Sequence, residues 1–355
     1  MAVTDPRRQP IPLRPDYSAR ASDAARTVAR AAIAAVHRAR SPIFDTVDFV
    51  NKTWPDDRAV GLLLRTAVSR MPLVPGGPLA TIAVHFLASL QGVSAAARLI
   101  AQSLAVHFGN AAAISIPTLT LPKGGFIAQG AAISAVQGTS SAGLLIQPHT
   151  IAVTVPLTNE MIAHSNAEQM VEQVLKENTG PLIDSLMFNA NPAVPDLSPA
   201  GILNGIAALT PTTAGANKTD DMVADLEKLA ASVASVSSGS IAFVAAVPRA
   251  LGIQLRSENL SFPVWPSSAL ADGTVICLAL PAVVTAVDPP MVDASDKASL
   301  NLADPASELV TVGGVVATPW RSLFQTDSTA VRLRIPASWG LRSPIGCAWM
   351  SGVSW

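Results

Sequence analysis

The chain has 355 residues, of which 49% are apolar and only 14% charged, with a net charge of −1. About 25% charged residues is usual for soluble domains, so the balance predicts a surface partly buried between subunits, since large permanent interfaces resemble a domain core cut in half. It excludes a whole-chain electrostatic footprint for nucleic acid, although residues 1–40 are basic, carrying eight Arg against Asp5, Asp16 and Asp23; this reads as a phosphate- or acid-contacting arm or as a solvated helix face.

Residues 1–16 are rich in Pro and Arg and read as extended; they lack the apolar core of a signal peptide. From Tyr17 to about Arg40 the Ala- and Arg-rich run predicts a helix, with Ala24, Val28, Ala31, Ala32 and Val36 near one face. Helical segments are expected at Asp57–Met71 and about Leu79–His107, separated by the breaker PLVPGGP. His85, Gln91, Gly92 and Arg98 interrupt the second, so it reads as buried amphipathic helix and not as a membrane span. A soluble, intracellular chain is the expectation.

The pattern changes at residue 111. Ala113–Leu121 is strand-like, and 126–136 and 144–155 read as two arms of a long hairpin whose flexible tip holds Gly138, Thr139, Ser140, Ser141 and Gly143. An isolated two-stranded ribbon is marginal in water, so this hairpin needs a partner surface. A long helix follows through about Asn189, capped by Thr158 or Ser165, with Gly180-Pro181 expected to kink or end it. After loops at 189–201 and 210–219, residues 220–236 form an amphipathic helix. Strands are predicted at Ile241–Val247, Thr274–Ala279, Val283–Val287, Leu309–Ala317, Ala330–Ile335 and Ile345–Met350, with a short helix at Pro248–Arg256 and a polar, turn-rich stretch at 288–307.

No catalytic constellation stands out. HExxH, the P-loop and GxGxxG are absent, and His37, His85, His107, His149 and His164 lack metal-ligand spacing. Gly138-Thr139-Ser140-Ser141-Ala142 has Ala where a nucleophile elbow needs its second Gly, and a hairpin is the wrong setting for that motif. Cys277 and Cys347 have neither CxxC spacing nor the density of a disulfide framework, which fits inert buried thiols in a reducing compartment. No catalytic residue, cofactor or metal ligand is assigned.

The order of parts resembles the Hong Kong 97-type major capsid proteins of tailed bacteriophages and prophages. The stretch SLFQTDSTAVRLRIPASWGLRSPIGCAWMSGVSW (322–355) carries most of this, with PKGGFIAQGAAISAVQGTSSAG, LTNEMIAHSNAEQMVEQVLKENTGPLIDSLMF and SPAGILNGIAAL (198–209) beside it. The similarity spans about residues 111–355. It implies an α+β fold divided into an N-terminal helical arm or scaffolding segment (1–110), an extended hairpin loop (111–155), a peripheral domain with a spine helix (156–205), an α/β axial domain (206–308) and closing peripheral strands (309–355).

By the same resemblance the chain is a structural head protein that assembles with itself into hexamers and pentamers of an icosahedral shell. The shell would enclose double-stranded DNA and meet portal, scaffolding or decoration proteins, in the virion and, during assembly, in the host cytoplasm. Phe126, Gln137, Ser140, Leu145, His149, Arg332 and Arg334 are the expected subunit-interface residues, the two Arg pairing with acids of a neighbour or facing solvent. Some relatives crosslink a hairpin lysine to a neighbour's asparagine; no lysine lies between Phe126 and Ile151, so no such crosslink is expected. An encapsulin-like nanocompartment shell and, more remotely, a soluble α/β hydrolase are the alternatives.

Overall fold

The computed structural model describes residues 17–41, 45–68, 86–108, 111–119, 140–163, 166–213, 215, 217–257, 260–297, 299–301 and 320–355. The architecture is α+β, built on two mixed sheets.

The first sheet is organised by one long strand, β12 (Ser328–Leu341). Val331, Leu333 and Ile335 point inward and are buried, while Arg332 and Arg334 alternate outward. On one side β12 pairs antiparallel with β4 (His149–Thr158). On the other it meets β9 (Met291–Ser295) and then β8 (Val283–Val287). A short parallel strand, β1 (Leu104–Val106), closes the far edge on β8. The stretch 288–307, expected to be turns, therefore holds a sheet strand: β9 buries Val292 while Asp293 faces the arginines of β12.

Against this sheet lie α1 (Tyr17–Arg40), α2 (Thr46–Thr53), α3 (Arg58–Val68), a helical stretch at 86–90 and α4 (Ala95–Gln102). The segment expected over about 79–107 as one or two helices holds, among the described residues, two helical stretches, with Ser94 capping the second through the Ala97 N–H; Leu104–Val106 then leaves the helix to pair with the buried β8. Val28, Ala32 and Val36 of α1 belong to the same apolar core as Leu63, Leu90, Leu99 and the inward face of β12.

After β4, a short helix α5 (Asn159–Ala163) leads to α6 (Ala167–Met187). Thr158 accepts at 3.4 Å from Met161 N–H and so caps α5. The long helix starts at Asn166, without a side-chain cap. Of the two outcomes expected at Gly180-Pro181, a kink or an end, the end does not occur: α6 continues through it. Gly180 gives space there, since a Cβ would sit 2.8 Å from Val93 Cγ2 and displace that side chain.

The second sheet has the order β13 (Cys347–Met350), β7 (Val275–Ala279), β5 (Ile241–Ala246) and β6 (Val264–Ser267). Ile241, Phe243 and Ala245 turn toward α7 (Lys218–Ser237) and α8 (Val247–Arg256), whereas Ala242 and Val244 join the main core. Asp225, fully buried, accepts from the N–H and hydroxyl of Thr212 and from Trp355 Nε1, tying the last residue to α7. The predicted strand at Leu309–Ala317 lies outside the described residues; β10 (Ser299–Asn301) and β11 (Trp320–Ser322) flank it and pair with each other.

Candidate assembly surface

The hairpin is present at its root, with a different pairing from the one expected. Its strands are β2 (Ile114–Leu119) and β3 (Ser140–Ile146), antiparallel, with an irregularity between Ile116 and Thr118 where Pro117 withholds an N–H. Ser140, Ser141 and Gly143 thus stand in a strand, not in a tip, and Ser140 pairs in register with Leu119. Gly143 is required by this pairing: a Cβ would lie 2.8 Å from Ser115 Oγ and 2.9 Å from the Ile116 carbonyl oxygen. The predicted second arm, 144–155, splits at Gln147-Pro148, because Ile151, Val153, Val155 and Leu157 alternate inward and need the core that β12 supplies. The predicted first arm, with Phe126 and Gln137, lies outside the described residues.

Among the described residues the ribbon β2–β3 has no third strand. A small apolar cluster holds its root to the first sheet: Phe108, Ile116 and Ile146 pack on Val284 and Ala286 of β8. Asp288 accepts at 3.3 Å from Phe108 N–H beside it; burial pushes the Asp288 carboxyl above its usual range, partly opposed by that bond and by His107. Leu144 packs on Gly340, where a Cβ would come within 2.9 Å of both Leu144 methyls.

Alternation then turns the neighbouring Leu145 outward, 60% exposed. It borders an open groove of about 420 Å³ with Leu144, His149, Val194, Pro195 and Trp339. The far wall is the loop after α6, held by Trp339 Nε1 donating to the Ala200 carbonyl at 3.0 Å. That loop folds tightly, since a Cβ on Gly201 would fall 2.0 Å from the Asn189 carbonyl oxygen. Its crest exposes Leu197 at 69%. His149 begins β4, its Nδ1 3.4 Å from Ser338 Oγ.

Of the predicted interface residues, the structure brings Leu145 and His149 to one groove. Along β12, Arg334 and Arg332 lie three and five register positions from Ala337, the partner of His149, about 10 and 17 Å at strand rise. Both reach Asp293 of the same chain, at 2.8 and 3.0 Å. One carboxylate between two guanidiniums leaves this face cationic.

Three further exposed apolar features lie outside the predicted set. Phe324, in the Phe-Gln-Thr-Asp turn before β12, is 87% exposed. Asp327 in that turn has φ 44°, and Asn159 Nδ2 donates to its carboxylate at 2.5 Å, so the turn is clamped and Phe324 is held outward. On α8, Val247, Leu251 and Leu255 form an exposed stripe at helical spacing. The crest residues Val194 and Leu197 are the third. Leu251 and Leu255 were discernible as apolar residues at i and i+4; Leu197 and Phe324 are lone apolar residues in turns, with no periodicity to mark them.

Burial raises both thiols, Cys277 to about 12 and Cys347 further still. Among the described residues no helix is long and apolar enough to cross a membrane.

No family model matches the chain. A curated relative, the capsid polyprotein of Pseudomonas phage PAJU2, is 24% identical over 238 residues, covering 59% of this chain and 34% of that protein. The chain thus spans about a third of the length of the curated relative it matches. Among solved structures, one from Mycobacterium phage Bobi is similar at TM-score 0.48 and 16% identity, covering 71% of this chain and 89% of that one. A virus-like particle from Pyrococcus furiosus gives 0.45 and 8%, covering 71% and 91%. The capsid of an empty GTA particle gives 0.41 and 12%, covering 72% and 89%.

Proposed function

We propose that this chain is a shell subunit, a major capsid protein of Hong Kong 97 type, which acts by assembling with copies of itself and not by catalysis. The observation that carries the reading is the ribbon β2–β3: two strands rooted on the first sheet by a small apolar cluster, with unpaired edges among the described residues and Leu145 turned to solvent beside an open groove. Unpaired edges of this kind are a ready template for pairing with another chain. The phage capsid polyprotein that the chain resembles over 238 residues supports the same reading.

In this proposal the ribbon, with Ser140 of β3, and the groove at Leu145 and His149 form contacts between subunits; Phe126 and Gln137, outside the described residues, are proposed to join them. The shell encloses double-stranded DNA and meets a portal and, in some particles, scaffolding or decoration proteins. It assembles in the host cytoplasm and ends in the virion. The segments 1–110, 111–155, 156–205, 206–308 and 309–355 then serve as N-terminal helical region, extended loop, spine-helix domain, axial domain and closing strands, with β4 transferred from the loop to the sheet.

Negative-stain microscopy of the purified full chain tests this directly. Closed shells are expected, and a protein that stays monomeric across assembly conditions refutes the proposal. The contents separate phage-type from compartment-type shells: nuclease-protected DNA marks the first, and a co-purifying enzyme the second.

A further inference from the structure

The resemblance leaves two fates open for residues 1–110, removal as a scaffolding segment or retention. We infer that the described parts of residues 24–108 are an integral wall of the folded subunit and remain with it in the mature particle. The reference to a mature particle rests on the shell reading above; the integrity of the wall does not.

Four independent observations carry this. First, the region supplies core: Val28, Ala29, Ala31, Ala32 and Val36 of α1 are fully buried and share one apolar cluster with Val171 of α6 and Val331 and Leu333 of β12. Removing α1 would open the inner face of the first sheet to water.

Second, the seam between this region and α6 is stitched by charge. Arg30 reaches Asp57 and Glu168, each at 3.0 Å, and Trp54 Nε1 donates to Glu168 at 2.6 Å. Burial works against the Arg30 charge, but its bonds to Glu168 and Asp57 prevail and hold its pKa above the ordinary value. Third, Asp184 of α6 is fully buried and accepts from Ser94 Oγ and from the N–H groups of Ala95 and Ala96, as well as from Ser267 Oγ of the second sheet. Three of its four donors would leave with residues 24–108, stranding a carboxylate inside the protein. Fourth, β1 closes an edge of the first sheet, and Val93 fills the space left by Gly180.

The test uses the full chain. Limited proteolysis under native conditions, followed by size exclusion and intact-mass analysis, is read on soluble subunits and on any particles. Nicks between residues 24 and 108 are expected to leave both pieces co-eluting, with an unchanged thermal midpoint and no separation short of denaturant. Particles matured with their full set of phage proteins are expected to yield a subunit that still contains Ala24. A fragment containing residues 24–108 that elutes alone while the rest keeps its circular-dichroism melt overturns the inference, as does a mature subunit beginning beyond residue 108. Absence of particles in micrographs counts against the shell reading only, because co-elution is scored on the subunit.

Discussion

Asp184 offers the sharpest quantitative test of how the molecule is joined. Its carboxylate is fully buried and bonded to Ser94 Oγ at 2.5 Å, Ser267 Oγ at 2.6 Å, Ala96 N–H at 2.9 Å and Ala95 N–H at 3.2 Å. In Asp184→Ala the two hydroxyls can rotate to other acceptors, but the two N–H groups open α4 and have nowhere to turn. Each stranded donor costs roughly 1–3 kcal/mol, and the small cavity adds to it, so a loss of about 3–5 kcal/mol is expected. At roughly 2–4 °C per kcal/mol for domains of 150–250 residues, the midpoint falls by about 6–20 °C. Ser267→Ala, which removes one donor to the carboxylate and frees only the N–H of the exposed Ala269 to water, should cost about 1 kcal/mol. Asp184→Asn, keeping the shape and one good acceptor, should fall between. Urea unfolding followed by circular dichroism reads all three. If Asp184→Ala stays within about 1 kcal/mol of the parent, the carboxylate does not join the N-terminal region to α6 and the second sheet in the way argued here.

Gly340→Val should cost roughly 1–3 kcal/mol by forcing Leu144 off its seat, and adding Leu144→Ala should recover most of that in the same urea assay. Leu145→Asp, on an exposed side chain, should change stability by less than about 0.5 kcal/mol yet abolish shells in negative stain; intact shells would remove Leu145 from the interface. Asp293→Ala leaves Arg332 and Arg334 facing each other, so a loss of about 1 kcal/mol is expected, and a double-mutant cycle should give Arg334, the less exposed of the two, the larger coupling. Cys277 and Cys347, both raised by burial, should resist a thiol reagent at pH 8 in the native protein and react on denaturation; labelling of the folded chain would contradict their burial.

Alternation and helical period made the inward faces of α1, α7 and β12 legible, because each is a long element with one side in the core. Short elements held by partners far away in sequence were not legible. Leu104–Val106 reads as the end of a helix until the parallel partner Val284–Ala286 is known, and Met291–Ser295 reads as turn until β12 lies beside it. At Gly180-Pro181 local propensity favours a kink or an end, and the helix runs on through it with Val93 packed against Gly180. At the surface, Leu145 and His149 were found through the hairpin pattern. The groove they share depends on Trp339 and on a loop roughly fifty residues downstream of them, a meeting fixed only by the tertiary fold.

The antiparallel pairing of β4 with β12 has a mechanical consequence. Its ten registered residue pairs run from His149, just past the ribbon, to Thr158. Tension applied through β3 enters β4 at His149 and pulls it lengthwise past β12. The load is then shared by the whole ladder at once, since its hydrogen bonds lie across the strands and are sheared together instead of peeled one after another. A tug on the ribbon from a neighbouring molecule is thus met by the stiffest direction of the sheet.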